Sequence, residues 1–123
     1  MENTKFLIAS ILFTSLLFFQ FIPKVNNQLL KTNLRVTIQD DLGNIQEGAM
    51  VTLYDNNEDY RASENPVAGP VATDKKGRAT FKDLEEKVYF VHAEKGKLNN
   101  NGLGVQTDSL EGGKLNKAAI VIQ

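Results

Sequence analysis

Alternation of apolar and polar residues recurs along the chain from residue 33 onward and is the strongest structural signal in the sequence. In the first such stretch, Leu34, Val36 and Ile38 alternate with polar side chains. Successive side chains of a β-strand point to opposite faces of the sheet, so a period of two indicates a strand with one buried face. This stretch is therefore predicted to be a half-buried strand.

Six further short strands are predicted on the same basis. They are expected in the segments GAMVTLYD, VAT, ATFK, KVYFVHAE, LGVQTD and NKAAIVIQ. No segment after residue 30 keeps a helical period over about ten residues, so long helices are not expected there. Strands this short, separated by Gly, Asn and Asp, predict an all-β fold, a seven-stranded Greek-key β-sandwich of Ig-like layout.

Asp and Gly occupy defined places in two predicted turns. Asp40 precedes Gly43, and Asp74 precedes Gly77 by the same interval. An Asp side chain can accept hydrogen bonds from the backbone that follows it, and Gly tolerates a positive φ. The second turn leads into the strand that carries Phe81, which is expected to be the largest core side chain.

The first 25 residues differ from the rest of the chain. Residues 6–22 carry no charge, and five of the seven Phe fall within the first 21 residues. We interpret residues 1–25 as an apolar helix that is either a cleaved signal peptide or an uncleaved membrane anchor. Residues 26–32 are then a linker and residues 33–123 the folded domain. Either alternative predicts export, to the periplasm or the cell surface, with membrane contact through residues 6–22 alone.

Charge and composition exclude several kinds of site. The 14 Lys and Arg nearly balance the 15 Asp and Glu, which gives a net charge of −1. This balance lacks the basic surface typical of nucleic-acid binding, so no nucleic acid partner is expected. Cys is absent, which excludes disulfides and thiolate metal sites. No cofactor is predicted.

The order of these motifs resembles a known family. A strand, the turn DDLGN, GAMVTLYD, the turn TDKKG before RATFKDL, and then VYFVHAEKG are similar to the carboxypeptidase regulatory-like domain. That domain belongs with transthyretin-like modules in the prealbumin-like sandwich group. The resemblance covers residues 33–123 and implies a seven-stranded sandwich in an exported bacterial protein.

The catalytic residues known in that group are not matched. Transthyretin-like hydrolases use His and Arg in a shared cleft and end in Tyr-Arg-Gly-Ser, whereas this chain has one His and ends AAIVIQ. His92 and Glu94 share a strand face, which is the one arrangement that would suit a general base. No catalytic residue is assigned, and the chain is expected not to be an enzyme.

Three sets of residues are candidates for binding. Val88, Phe90 and His92 are expected on the outward face of their strand, where an apolar stripe would mark a partner surface. Asp55, Asn57 and Asp59 have the spacing that opens a calcium loop, although the later positions do not fit it. Asn99, Asn100 and Asn101 could hydrogen-bond a sugar, or could simply form a left-handed turn.

These observations predict an exported, non-enzymatic binding or structural module at the bacterial cell envelope. Its partner is expected to be an unidentified envelope protein or a glycan. A weak carbohydrate-binding module is the first alternative, and a transthyretin-like hydrolase is the disfavoured second alternative. The sequence does not identify the ligand or the oligomeric state.

Overall fold

Residues 31–123 are described by the computed structural model, and their strands form two β-sheets. The elements in chain order are β1 (Asn33–Asp40), β2 (Met50–Tyr54), helix α1 (Asn57–Ala62), β3 (Ala68–Ala72), β4 (Arg78–Phe81), β5 (Phe90–Lys95), β6 (Leu98–Asn99) and β7 (Leu115–Ile122). One sheet has the order β4-β1-β7 and the other the order β3-β2-β5-β6. The prediction of a mainly β fold is confirmed. The predicted N-terminal helix, the boundary at residue 25 and most of the linker lie outside the described residues.

Strand β1 is the centre of the three-stranded sheet. It pairs antiparallel with β4, where Leu34 faces Phe81. On its other side it pairs parallel with β7 in an unbroken register that runs from Asn33 opposite Leu115 to Asp40 opposite Ile122. The first and last strands of the described chain are therefore neighbours.

The core lies between the two sheets and is built from the predicted inward faces. The buried apolar residues are Leu34, Val36, Ile38, Ala49, Val51, Leu53, Ala79, Phe81, Tyr89, Val91, Ala93, Leu110, Ile120 and Ile122. Tyr89, Val91 and Ala93 point into this core, on the face opposite to the predicted outward face of Val88, Phe90 and His92, and Leu84 packs against its rim.

The predicted turns are also confirmed, and both rely on an aspartate. The carboxylate of Asp40 accepts the backbone N–H of Leu42 at 3.0 Å and of Asn44 at 2.8 Å. The carboxylate of Asp74 accepts the N–H groups of Lys76 at 2.8 Å and Arg78 at 3.0 Å. Such bonds satisfy turn donors that have no strand partner.

Two strand predictions are wrong in detail. The third strand is Ala68–Ala72 rather than 71–73, and its register with β2 shifts between Val51 and Leu53. The segment LGVQTD forms no regular strand. Instead, residues 105–107 pair irregularly with β5, where the N–H of Val91 donates to Val105 at 2.6 Å, and the regular sixth strand is the short β6. Two short segments, β6 and residues 105–107, therefore pair with the same edge of β5, and the loop that carries Asn100 lies between them.

Helix α1 lies between the second and third predicted strands, where the sequence pattern predicts no regular element. Asn56 caps it, because its side chain accepts the backbone N–H of Asp59 at 2.8 Å. Ser63 ends it in a left-handed conformation with φ of 54°. The helix has no buried residue and hence no apolar period, so the hydrophobic pattern could not detect it. Residues 31–123 contain no helix with the length and apolar character needed to cross a bilayer.

Candidate ligand-binding groove

Helix α1 places one aromatic ring over the outward face of β2 and β5. The ring of Tyr60 lies 6.0 Å from that of Tyr54 in an edge-to-face arrangement. It also lies 6.5 Å from the ring of Phe90 and 6.2 Å from that of His92. These centroid distances are typical of favourable aromatic contacts, so the four rings form a packed cluster outside the main core. We call Tyr54, Tyr60, Phe90 and His92 the aromatic cluster.

The aromatic cluster corrects the prediction of an open apolar stripe. Val88, Phe90 and His92 do lie on the face opposite the core, but all three are half-buried. Tyr60 packs beside Phe90 and His92, which removes much of the predicted surface from solvent. Because the hydrophobic pattern does not reveal α1, it could not show that the stripe is partly covered.

A groove opens where the aromatic cluster meets the loop after β6. Its volume is about 530 Å³. The residues that line it are Asn57, Tyr60, Arg61, Ser63, His92, Asn101, Gly102, Leu103 and Val105. We call it the α1 groove. It brings together three sequence-predicted site residues, Asn57, His92 and Asn101, which come from three different candidate sets.

Tyr60 is the residue that sequence reasoning missed. Its hydroxyl lies 3.5 Å from Oδ1 of Asn101, so the helix and the loop meet across the groove. Burial raises the pKa of the Tyr60 phenol, and the nearby Tyr54 raises it further. The phenol therefore keeps its proton at neutral pH and can donate a hydrogen bond. The one signal for α1 was the Asn56 cap three residues before Asp59.

The three consecutive asparagines have different environments. Asn100 is fully buried, and its amide binds the backbone of β5 through the N–H of Ala93 at 3.0 Å and the C=O of Val91 at 2.8 Å. Asn99 accepts the N–H of Asn101 at 3.0 Å and so shapes the turn. Of the three, Asn101 alone lines the α1 groove, which leaves it as the available sugar contact.

The calcium candidates do not form a shared oxygen site. Asp55 pairs with Lys87, whereas the carboxylate of Asp59 accepts hydrogen bonds from the side chains of Asn56 and Asn65. Asn57 lies in the first turn of α1 and lines the groove. Among residues 31–123, no group of three or more His, Cys, Asp or Glu side chains is placed to hold a metal ion.

His92 and Glu94 lie on one strand face, with Thr52 and Met50 as their respective partners on β2. Glu94 is exposed while His92 is half-buried beside Tyr60. No side-chain hydrogen bond joins these two residues. The geometry therefore gives His92 a packing role next to the groove, without the orienting carboxylate that a general base needs.

A larger groove of about 700 Å³ runs beside β7. Its lining comes from residues 106–111 and 114–119, together with Leu34. Its lining includes polar side chains but no aromatic side chain and no histidine, so it offers no ring against which a small polar ligand could pack. The α1 groove is therefore the better candidate for a ligand site.

No protein-family model and no curated protein sequence matches the chain. Among solved structures, it is similar to a proposed carbohydrate binding protein from Pseudomonas aeruginosa. The identity is 15%, the match covers 77% of this chain and 90% of the other, and the TM-score is 0.45. A similarity at this level does not assign a ligand to this chain.

Proposed function

We propose that this chain is a non-enzymatic binding module and that the α1 groove binds a saccharide. The observation that carries the proposal is the convergence of Tyr60, His92 and Asn101 on one groove. Aromatic rings pack against the C–H faces of sugar rings through apolar contact, while side-chain amides and hydroxyls suit sugar hydroxyl groups. The groove supplies both kinds of group within a single concave surface.

The composition of the groove supports a small polar ligand more than a broad protein surface. Leu103 and Val105 supply apolar walls, and Asn57, Ser63 and Asn101 supply neutral hydrogen-bonding groups. Ligand sites of this kind combine apolar walls with a few polar groups that fix the orientation of the ligand. The flatter stripe predicted from Val88, Phe90 and His92 is half-buried, which makes an envelope protein partner the less favoured candidate.

The cellular setting and the finer family are also proposals, and both rest on the sequence. An apolar stretch at residues 6–22 supports an exported protein at the bacterial envelope, secreted or anchored there. The Greek-key, carboxypeptidase regulatory-like type of sandwich is our proposal for the fold. In such a setting the binding module would hold a glycan at the envelope.

A glycan array probed with the full chain tests the proposed function. We expect a set of related saccharides to bind, and we expect both Tyr60→Leu and Asn101→Ala to weaken that binding at least tenfold. Asn44→Ala is the matched control, because Asn44 lies on the turn after β1 and does not line the groove. Binding that is absent for every saccharide, or equal in wild type and Tyr60→Leu, would overturn the proposal.

A further inference from the structure

The outer edge of β7 is open along most of its length. In the parallel ladder with β1, the N–H of Asn33 donates to the C=O of Lys114 at 3.0 Å. Alternate residues of a strand direct their backbone groups to the same neighbour, so the even-numbered residues of β7 face β1. The odd-numbered residues face away, and Gln123 confirms this alternation because both of its backbone groups pair with Asn99 on β6.

Four outward-facing residues of β7 have no backbone partner in the described part of the chain. They are Leu115, Lys117, Ala119 and Val121. The groove of about 700 Å³ runs beside residues 114–119, so the 106–111 segment flanks this edge without covering it. Unpaired N–H and C=O groups in a row form a template for another strand.

The other three edge strands differ from β7 in ways that hinder pairing. Strand β3 contains Pro70 and a register shift, β4 has 4 residues and β6 has 2. Strand β7 has 8 residues, contains no Pro, keeps an unbroken register with β1 and carries one charged side chain, Lys117. Short edges, prolines and bulges are the usual protection against edge-to-edge pairing, and β7 lacks them.

We propose that β7 is a self-association edge, on which a second copy of this chain adds its own β7 in the antiparallel direction. The register argues for this occupant. With a twofold axis at Ala118, Leu115 faces Val121 of the second copy and Lys117 faces Ala119. All four outward-facing residues then form hydrogen-bonded pairs.

The neighbouring registers are poorer. Centring the axis on Lys117 would place two like charges directly opposite each other, which destabilises a strand pair. Centring it on Ala119 would leave Leu115 opposite Gln123, which already pairs with Asn99. The sequence of β7 therefore favours one self-complementary arrangement, and the two three-stranded sheets become one continuous six-stranded sheet.

A single cysteine tests the register, since the chain has none of its own. Residues in a non-hydrogen-bonded antiparallel pair have Cα atoms about 4.5 Å apart, within the range of a disulfide. Ala118→Cys in the full chain is expected to form a covalent dimer under mild oxidation. Ala119→Cys is the matched control and should remain uncrosslinked, because Lys117 faces it. Equal crosslinking of the two variants would overturn the proposed register.

A proline tests the interface itself. Ala119→Pro removes an N–H that points away from β1, so the fold is retained while the added strand loses a donor. Sedimentation of the full chain should give a dimer for wild type and for Ala119→Ser, and a monomer for Ala119→Pro. Any association through residues 6–22 would affect all three proteins equally, so a difference between them reports on β7. The same mass for wild type and Ala119→Pro would overturn the proposal.

Discussion

The side chain of Asn100 completes the edge of β5 by accepting a hydrogen bond from the backbone N–H of Ala93 at 3.0 Å. Its Nδ2 also donates to the C=O of Val91 at 2.8 Å. Both Asn100 and Ala93 are fully buried. The amide therefore takes the place of a neighbouring strand along the part of β5 that lies between its pairing with β6 and its pairing with residues 105–107.

Asn100→Leu is expected to destabilise the fold, whereas Asn101→Ala is expected to spare it. The first change leaves the buried N–H of Ala93 and the C=O of Val91 without partners, at about 1–3 kcal/mol for each unsatisfied group. The second removes an exposed side chain and should affect ligand binding alone. Urea unfolding of both variants checks this difference. Equal midpoints would show that the buried amide is not needed at the edge of β5.

Phe81→Ala tests the core between the two sheets. Phe81 is 4% exposed and sits opposite Leu34 on the β4–β1 pair. Removing its ring should cost about 3–5 kcal/mol, because burial is lost and a cavity forms. Thermal unfolding of Phe81→Ala beside Phe81→Leu measures the loss, and the leucine variant should recover part of it. A melting temperature equal to that of wild type would contradict the assigned core.

Gly77→Ala tests the turn before β4. Gly77 has φ of 72°, and a Cβ built there would overlap Cγ2 of Ile45 and lie 3.0 Å from the carbonyl oxygen of Ile38. A non-glycine residue held at a positive φ costs about 1–3 kcal/mol. At Gly77 the close contacts of the added Cβ come on top of that cost. Gly96→Ala is the control, since Gly96 also has a positive φ but has open space around it. The Gly77 variant should lose more stability in chemical unfolding, and equal losses would argue against the close contact.

The fold is expected to lose stability in acid through the titration of Asp74. The backbone N–H of Arg78 is the main cause that holds the pKa of this carboxyl below its usual value. Because the native pKa is lower than that of the unfolded chain, near 3.9, the stabilisation is present above about pH 4. It is lost as the pH falls through the native pKa.

Asp74→Asn removes this titration and keeps an acceptor in the turn. We expect the advantage of wild type over the variant to shrink as the pH is lowered from about 7 to about 3. Unfolding midpoints in urea at several pH values measure the difference between the two proteins. A difference that stays constant with pH would remove Asp74 from the acid response.

The fold was predictable from sequence wherever one face of an element is buried. Leu34, Val36 and Ile38 alternate because one side of β1 contacts the core and the other contacts solvent, and the inward residues of β5 follow the same rule. The turn at Asp74 was equally predictable, since its chemistry is local.

The candidate site was less predictable because it depends on a contact between distant segments. Helix α1 buries no residue, so its sequence carries no apolar period, and the placement of Tyr60 over His92 is a tertiary feature. Asn100 and Asn101 are the same residue type, so the sequence does not distinguish them. Only the fold shows that the amide of Asn100 is buried and that the amide of Asn101 lines the groove. The edge strand at residues 98–99 was missed because two residues are too few to show a period.

The parallel pairing of β1 with β7 delays completion of this domain during synthesis on the ribosome. The six other strands precede β7 in the chain, so β1 lacks its neighbour on that side until Leu115 to Ile122 have been synthesised and released. Contacts between such distant segments are slow to form. Until they form, Ile38 and Val36 remain incompletely covered, so a nascent chain stalled before residue 115 should be a substrate for chaperones and proteases.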